Sequence, residues 1–177
     1  MIQTIRTAGK VYFEVSMREE PLPDLKFTLD VHLGKLTKSL RLFGFDAFWD
    51  ANYNDKEIIL FSLSEGRIIL TRDKELLENK NVVHGYRVLS QKPDEQLREV
   101  FIRFDLKYHI NPFSRCMECN GILKEARKED IIERLFPKTI EYYNSFIMCT
   151  VCNRIYWEGS HYERMKKYIE SVIKDVN

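Results

Sequence analysis

The sequence predicts a three-layer α/β domain with a mainly parallel sheet, followed by a small metal-binding module. Short apolar runs alternate with stretches of helical periodicity over residues 25–110, in the order β-α-β-α-β-α-β-α. Beyond this region the four cysteines of the chain stand as two Cys-x-x-Cys pairs. We therefore expect an N-terminal extension at 1–24, an α/β domain at 25–110, and a cysteine-containing module with a final helix at 111–177.

Five stretches have the composition of β-strands, since each is short, apolar or β-branched and bounded by turn residues. They are VYFEV at 11–15, LKFTLD at 25–30, FDAFW at 45–49, RIILT at 67–71 and VVHGYRVL at 82–89. A charged linker, REEPLPD at 18–24, separates the first from the others. RIILT has the continuous apolar run typical of a parallel strand that is covered on both faces.

Helices are predicted between and after these strands. Leu33, Leu36, Leu40 and Phe43 give the first helix one apolar face, and Gly44 stands where a C-terminal cap belongs. Further helices are expected at 56–64 before Gly66, at KELLEN (74–79), at DEQLREVFIRFDL (94–106) after Pro93, and at KEDIIERLF (128–136). The last helix begins at SHYE (160–163), which has the form of a capping box, and its apolar face carries Met165, Ile169, Val172 and Ile173.

Charge and hydropathy argue against a dedicated nucleic-acid-binding protein, a membrane-spanning protein and a secreted protein. The 28 Lys and Arg residues nearly balance 27 Asp and Glu, which gives a net charge of +1. The sequence pI of about 7.7 is below the value of about 9 that marks a dedicated nucleic-acid-binding domain. No stretch approaches the ~18 apolar residues that span a bilayer, and the N-terminus lacks the apolar core of a signal peptide. We expect a soluble, cytoplasmic protein without a membrane partner.

Three aspartates stand at the ends of predicted strands. Asp30, Asp55 and Asp73 each come just before a helix on the same side of the sheet. All three are compatible with simple N-capping, because Asp accepts hydrogen bonds from the first-turn amides. Three charged caps that converge would also concentrate negative charge, which a cation neutralises. Carboxylate oxygens suit Mg²⁺ or Mn²⁺, so a metal-dependent phosphodiesterase site is the second interpretation.

The cysteines indicate a structural zinc site. Cys116, Cys119, Cys149 and Cys152 can supply four thiolates in a tetrahedron, which is the closed arrangement of structural zinc. A thioredoxin-like redox pair needs one Cys-x-x-Cys, not two. An iron–sulfur cluster remains a chemical alternative.

Four motifs carry a family resemblance. DVHLGKLTKSLRLFGFD (30–46), GRIILTRD (66–73), RCMECN (115–120) and YWEGSH (156–161) resemble the Mut-seven C-terminal RNase domain family, a PIN-like nuclease domain followed by a zinc ribbon. The resemblance runs from about Phe27 to Met165, and Thr37 departs from the alanine common at its position.

The resemblance implies a PIN-like α/β/α fold and a ribonuclease that acts on RNA with Mg²⁺ or Mn²⁺. It assigns the metal-holding, catalytic positions to Asp30, Asp55 and Asp73. PIN-like sites usually have a fourth acidic residue, for which Asp50 is the better candidate and Asp94 the weaker, although either also suits a turn or cap.

Basic residues near these motifs have two interpretations each. Lys35, Lys38 and Arg41 recur at helical spacing and either contact RNA phosphates or form the solvated side of the helix. Arg72 either contacts phosphate or, as we favour, pairs with a neighbouring carboxylate.

Aromatic residues beside the second cysteine pair have the same ambiguity. Tyr156, Trp157 and His161 either stack on a base or, as we favour, pack the core of the module. Basic residues of this segment, including Lys124 and Arg154, either touch nucleic acid or are simply solvated.

Two rival functions stay open. A non-catalytic RNA-binding or ribonucleoprotein factor would keep the fold and use the zinc ribbon for recognition. A small-molecule phosphohydrolase would use the same carboxylates on a different substrate.

Overall fold

The computed structural model describes residues 6–7, 10–11 and 25–176. Of the strand expected at 11–15, only Val11 is among the described residues, where it ends a two-residue strand. Residues 12–15 and the linker at 18–24 lie outside the described residues. Within the described part of the chain, no helix is long and apolar enough to cross a membrane.

The strands and helices follow the predicted alternation closely. The strands are β1 Arg6–Thr7, β2 Lys10–Val11, β3 Lys26–Leu29, β4 Asp46–Phe48, β5 Ile68–Thr71, β6 Gly85–Arg87, β7 Leu123–Ala126, β8 Phe146–Cys149 and β9 Ile155–Trp157. The α-helices are α1 Gly34–Leu42, α2 Asp55–Glu65, α3 Lys74–Glu78, α4 Pro93–Arg103, α5 Lys128–Ile131, α6 Pro137–Tyr142 and α7 Ser160–Asp175. Short 3-10 helices occupy Val31–Leu33, Leu106–Tyr108 and Ile132–Arg134.

A four-stranded parallel sheet has the order β4-β3-β5-β6. Leu29 of β3 pairs with Leu70 of β5, and Thr71 pairs with Arg87 of β6. The carboxyl ends of β3 and β5 therefore lie side by side. This confirms the predicted α/β class and is consistent with the PIN-like fold that the resemblance implies.

The first helical segment is organised as its periodicity predicts. Leu33, Leu36, Leu40 and Phe43 are each at most 1% exposed. Gly44 follows with φ of +93°, and a Cβ there would lie 2.1 Å from the Asn111 carbonyl oxygen. Only glycine combines that backbone conformation with that close approach.

Several details differ from the expectations. The strands β7, β8 and β9 and the helix α6 were not predicted, and the helix expected at 128–136 is α5 followed by the 3-10 helix Ile132–Arg134. The fourth strand of the sheet is shorter than 82–89, because Val82 closes a turn onto the Asn79 carbonyl. The capping box at 160–163 is not formed: Gly159 is the N-cap residue of α7, and no side chain caps this end. Ser160 is already the first helical residue, so it and Glu163 stand one position too far along the helix.

The chain divides into two compact units. Met1–Thr37 and Asp46–Gln96 form the first, and Lys38–Phe45 and Leu97–Asn177 form the second. This differs from the expected boundary at 110/111, because Lys38–Phe45 packs with the cysteine-containing part. Phe43, for example, meets Phe101 edge to face with ring centroids 4.8 Å apart.

Each unit has its own sheet and core. The parallel sheet belongs to the first unit, where Ile58, Ile59, Ile69, Leu76 and Leu77 form a buried cluster. The second unit contains the antiparallel sheet β7-β8-β9, from which both cysteine turns extend.

Candidate functional site: strand-end aspartates and a cysteine quartet

Asp30 is a buried carboxylate at the carboxyl end of β3. Its backbone N–H donates to the Leu70 carbonyl of the neighbouring strand at 3.1 Å, and the residue is 6% exposed. Oδ1 accepts the His32 N–H at 3.0 Å, which caps the short helix at Val31–Leu33. Oδ2 accepts the Thr71 hydroxyl at 2.7 Å. Both oxygens are thus held in place by donors.

Asp73 lies two residues beyond β5 and is exposed. Its Oδ1 accepts the Glu75 N–H at 2.8 Å and so caps α3. Its own backbone N–H donates to Thr71 Oγ1 at 2.9 Å. The buried Thr71 hydroxyl therefore lies between the two aspartates, accepting from one and donating to the other.

Sequence reasoning assigned Thr71 no role. Its position in the Thr-Arg-Asp run at the strand end was the available signal. The β3–β5 register, which sets this hydroxyl beside Asp30, cannot be read from that run alone.

Asp55 stands apart from this pair. It is the first residue of α2 and is exposed, while Asn54 is the N-cap and forms a capping box with Glu57. The interpretation of Asp55 as a cap is therefore wrong. Asp50 is a turn residue whose Oδ1 accepts both the backbone and side-chain N–H of Asn52, at 2.9 and 3.1 Å.

The carboxylates fit a hard cation in part. Among the described residues, the potential ligands that come close enough to share one ion are the four cysteines, and the three aspartates do not reach that spacing. Each Asp30 oxygen nevertheless accepts one hydrogen bond in these contacts and has a further lone pair. Asp73 is open to solvent. Oxygen donors of this kind are the ligands that Mg²⁺ and Mn²⁺ prefer, and Asp55 lies outside the contacts that join Asp30 to Asp73.

Two of the basic residues on α1 serve the cysteine module. Arg41 is 3% exposed, and its Nη1 donates to the carbonyls of Met117 and Glu118 at 3.1 and 2.9 Å. This burial corrects the prediction that Arg41 binds substrate. Lys38 pairs with Glu118 at 2.9 Å, and the hydrogen bond it donates lowers the pKa of that carboxyl.

Lys35 and Arg72 are exposed. Among the described residues neither makes a recorded ion pair, so the pairing role favoured for Arg72 is not seen. The Arg72 carbonyl accepts from Arg87 Nε at 3.3 Å.

The four cysteines lie in two turns of the same design. Asn120 donates to the Cys116 carbonyl at 2.9 Å, and Asn153 donates to the Cys149 carbonyl at 3.1 Å. Both asparagines have positive φ, 68° and 57°, which asparagine tolerates better than most residues. The sequence signal is Cys-x-x-Cys-Asn, present twice.

The sulfur atoms converge from the two turns. All four lie within 4.8 Å of one another. The Cys116–Cys152 and Cys119–Cys149 sulfur distances are 3.6 and 3.3 Å, and both join one turn to the other. This is the arrangement of four ligands around one ion, and it is not that of a redox pair within one turn.

The thiols differ in acidity. Burial raises the pKa of the Cys116 thiol, but hydrogen bonds from the Tyr156 hydroxyl and from the Cys119 and Glu118 N–H groups lower it to about 7. Tyr156 is 3.1 Å from the Cys116 sulfur. Burial raises the pKa of the Cys119 thiol to about 12. In the metal-free cluster, Cys116 is therefore the readier thiolate.

Comparison with known protein families identifies a family for this chain. A family model described as Mut7-C RNAse domain matches residues 25–169. No curated protein and no solved structure matches the chain. The family match spans most of the sequence, so the chain belongs to the Mut7-C RNAse domain family, and the resemblance noted in its motifs is confirmed.

Proposed function

We propose that this member of the Mut7-C RNAse domain family is a divalent-metal-dependent ribonuclease that hydrolyses RNA phosphodiester bonds at Asp30, Asp55 and Asp73. The observation that carries the proposal is the Thr71 hydroxyl that joins Asp30 to Asp73 at the ends of adjacent parallel strands. In open α/β sheets, ligands bind in the crevice outside these carboxyl ends.

The carboxylates have different tasks in this proposal. Asp30 is fixed by two donors and provides a preorganised oxygen pair, while exposed Asp73 and Asp55 adjust to the ion and substrate. Mg²⁺ or Mn²⁺, when bound, supplies activation of the attacking water and stabilises the leaving oxygen. Asp50 is a weaker fourth ligand, since its Oδ1 accepts two hydrogen bonds from Asn52, whereas each Asp30 oxygen accepts one from His32 or Thr71.

Exposed cations on the same unit support an RNA substrate. Lys35 lies in the first turn of α1, and Arg72 lies between Thr71 and Asp73. Lysine and arginine contacts to phosphate orient a nucleic acid without reading its sequence. We assign these two side chains to the RNA backbone.

The metal of the cysteine quartet is a structural zinc ion in this proposal. Four thiolates close the coordination sphere, so no position is left for water or substrate. The zinc therefore stabilises the fold and takes no part in the chemical step.

Cleavage by charge-neutral variants tests the proposal. Asp30→Asn and Asp73→Asn keep the size and most of the capping ability of each residue while removing the charge that holds a cation. We expect cleavage of labelled single-stranded or structured RNA to fall by roughly two orders of magnitude or more, while RNA binding largely survives. The metal-free Asp73→Asn variant should be about as stable as the parent, whereas Asp30→Asn should be less stable, because an amide nitrogen cannot accept one of the two hydrogen bonds that the Asp30 oxygens accept.

The controls separate metal loss from misfolding. Asp105→Asn changes an exposed carboxylate elsewhere, at φ of +50° where asparagine is well tolerated. It should cleave like the parent. EDTA should stop the reaction, added Mg²⁺ or Mn²⁺ should restore it, and matching DNA substrates give the sugar selectivity.

One observation favours a second candidate. The aspartates already satisfy first-turn amides at two junctions and do not lie together as a ligand group within the described residues. In a non-catalytic RNA-binding factor, this capping role alone would account for the aspartates. RNA that stays intact in both metals, or variants as active as the parent, would favour that function. Hydrolysis of a generic phosphomonoester without RNA cleavage would indicate a small-molecule phosphohydrolase.

A further inference from the structure

A cavity opens beside the second cysteine turn, within the second compact unit. Its volume is about 280 Å³, and it is lined by residues 134–136, by residues 152–155 and by Trp157. Small-molecule pockets generally enclose about 300–1,000 Å³, so this cavity has room for a compact group rather than an extended ligand. Cys152 is the cluster cysteine that belongs to this lining, and the strand-end aspartates are not part of it.

The chemistry of the wall is aromatic and cationic. Phe136 is 76% exposed, and Trp157, which is half-buried, belongs to the same lining. Two guanidinium groups, those of Arg134 and Arg154, belong to the same wall, and no carboxylate does. Aromatic faces combined with arginine are the means by which proteins bind unstacked bases of single-stranded RNA.

Arg134 is held in the cavity lining by two hydrogen bonds to uncharged acceptors. Its Nη1 donates to the Met148 sulfur at 3.4 Å, and its Nη2 donates to the Asn153 carbonyl in the cysteine turn. Both acceptors are neutral. The guanidinium is therefore positioned by the fold, and these contacts leave its positive charge available to an anion.

Arg154 is weakly engaged. Its Nη1 lies 3.7 Å from Glu118 Oε1, and its side chain is 55% exposed. The same Glu118 oxygen is closer to Lys38, at 2.9 Å. An exposed ion pair at that distance contributes little, so Arg154 can move to a phosphate at small cost.

We propose that this cavity binds one unpaired nucleotide of RNA, with the base stacked against the aromatic lining formed by Phe136 and Trp157 and its phosphate held by Arg154. The inference rests on the proposed function in taking RNA as the substrate, and it adds a recognition site on the cysteine module. A nucleotide within a duplex cannot enter, because its base is stacked and paired. The site therefore makes the protein select single-stranded over double-stranded RNA.

The test measures RNA binding apart from cleavage. The 177-residue chain, loaded with zinc, carries Asp73→Asn to prevent cleavage, and binding of a short labelled single-stranded RNA is followed by fluorescence anisotropy. Phe136→Ala should weaken binding roughly tenfold, since one stacked base contributes about that much or more. Arg154→Ala should weaken it similarly and reduce its salt dependence. Phe136→Tyr, which keeps the ring, should bind like the parent.

Matched controls lie outside the cavity in the same unit. Tyr142 is an aromatic residue of similar exposure, 69%, and Lys124 is an exposed cation on β7. Tyr142→Ala and Lys124→Ala should change single-strand binding less than the cavity variants do. Duplex RNA of the same sequence should bind equally to the parent and to Phe136→Ala.

Zinc content and melting temperature are measured for every variant, because Arg154 follows the second cysteine turn. If a cavity variant loses zinc, the site is tested instead by crosslinking RNA to protein in which the cavity residues are not substituted. Single-stranded RNA containing 4-thiouridine should then form a photo-crosslink within residues 134–157. A crosslink confined to other segments would overturn the proposal.

The remaining outcomes identify rivals. Parental binding by Phe136→Ala, or equal losses for single-stranded and duplex RNA, would refute the nucleotide site. Stabilisation by inorganic phosphate that Arg154→Ala abolishes, with RNA binding unchanged, would make it an anion site. If RNA binds through the cavity but the parent protein cleaves no RNA, the proposed ribonuclease function is wrong and the nucleotide site is supported. If the parent cleaves RNA but the cavity variants bind RNA like the parent, the ribonuclease function is supported and the nucleotide site is wrong.

Discussion

The Thr71 hydroxyl donates to the buried Asp30 carboxylate at 2.7 Å, across the boundary between two parallel strands. The same oxygen accepts the Asp73 N–H at 2.9 Å. One hydroxyl thus contacts the carboxylate of Asp30 on the neighbouring strand and the backbone N–H of Asp73 on its own chain segment. Changes at Thr71 should therefore act on the Asp30 side chain directly and on Asp73 through its backbone.

Replacing Thr71 tests this link. Thr71→Val keeps the shape but leaves Asp30 Oδ2 without this donor and the Asp73 N–H without its acceptor. We expect the free energy of unfolding to fall by about 1–2 kcal/mol and cleavage to fall more than stability explains. Thr71→Ser, which keeps the hydroxyl, should stay close to the parent. Urea denaturation and RNA cleavage give the two quantities, and an active Thr71→Val would show that the orientation is unnecessary.

Asp55 and Asp50 should respond differently to the loss of charge. Asp55→Asn removes an exposed carboxylate that accepts no hydrogen bond from the described part of the chain, and it should impair cleavage and raise the Mg²⁺ concentration needed for half-maximal rate. Asp50→Asn keeps the turn with Asn52 and should have a smaller effect. Metal titrations of the cleavage rate give the comparison. If Asp50→Asn reduces cleavage more than Asp55→Asn does, Asp50 is the third metal ligand and Asp55 the weaker one.

Zinc removal should loosen the second unit. The purified protein should contain about one zinc per chain, and Cys119→Ser should release it. We expect a loss of ordered signals from β7 to β9, with a smaller effect on the parallel sheet. Elemental analysis and hydrogen exchange measure this. A zinc-free protein with an intact β7-β8-β9 sheet would contradict a structural role.

Zinc uptake should depend on pH in a defined direction. Burial raises the pKa of Cys119 to about 12, so at neutral pH this thiol must lose its proton when the ion binds. Zinc binding should therefore release protons and weaken as the pH falls. Competition with a chelator at several pH values, together with calorimetry in buffers of different ionisation enthalpy, measures the effect. Affinity independent of pH would mean that the thiols are already ionised.

Tyr156 should help to retain the ion. Tyr156→Phe removes the hydroxyl that lies 3.1 Å from the Cys116 sulfur and keeps the ring. Loss of such a hydrogen-bond partner typically lowers metal affinity 10–100-fold, so zinc should transfer faster to a chelator. Tyr143→Phe is a control for removing a hydroxyl from a half-buried tyrosine of the same unit. Equal transfer rates for the two variants would remove Tyr156 from the zinc site.

Lys35 and Arg41 lie on the same helix, α1, but we expect their substitution to have different effects, on RNA binding for Lys35 and on the free energy of unfolding for Arg41. Arg41→Ala deletes both hydrogen bonds to the turn carbonyls and should cost about 2–3 kcal/mol of stability. Lys35→Ala should leave stability within about 0.5 kcal/mol and weaken RNA binding with a smaller salt dependence. Thermal unfolding and anisotropy at several salt concentrations distinguish them. A stable Arg41→Ala variant with impaired RNA binding would restore Arg41 to the substrate surface.

Local pattern predicted most of the architecture. The apolar face ending at Gly44 and the apolar run of β5 follow from side-chain periodicity, which the sequence displays directly. The doubled Cys-x-x-Cys spacing likewise predicted the four-sulfur cluster. These features depend on neighbours along the chain.

Contacts with residues distant in sequence, and the choice between two adjacent cap residues, were not predicted. Arg41 has the same spacing as an exposed lysine, and only the fold shows that it reaches the carbonyls of Met117 and Glu118. The sequence alone did not distinguish Asp55 from Asn54 as the cap of α2, because the two adjacent residues are equally suited to that role. The capping box at Ser160 failed because Gly159 begins the helix one residue early, a difference that propensity does not resolve.

The division of the second unit between Lys38–Phe45 and Leu97–Asn177 has a consequence for how the protein is made. The apolar residues Leu40, Leu42, Phe43 and Phe45 leave the ribosome early, but Phe101, which contacts Phe43, is synthesised much later. At ~5–20 residues per second, the intervening chain takes on the order of several seconds to appear. During that interval this short apolar segment is without its native partners, which makes it a natural target for a chaperone on the nascent chain.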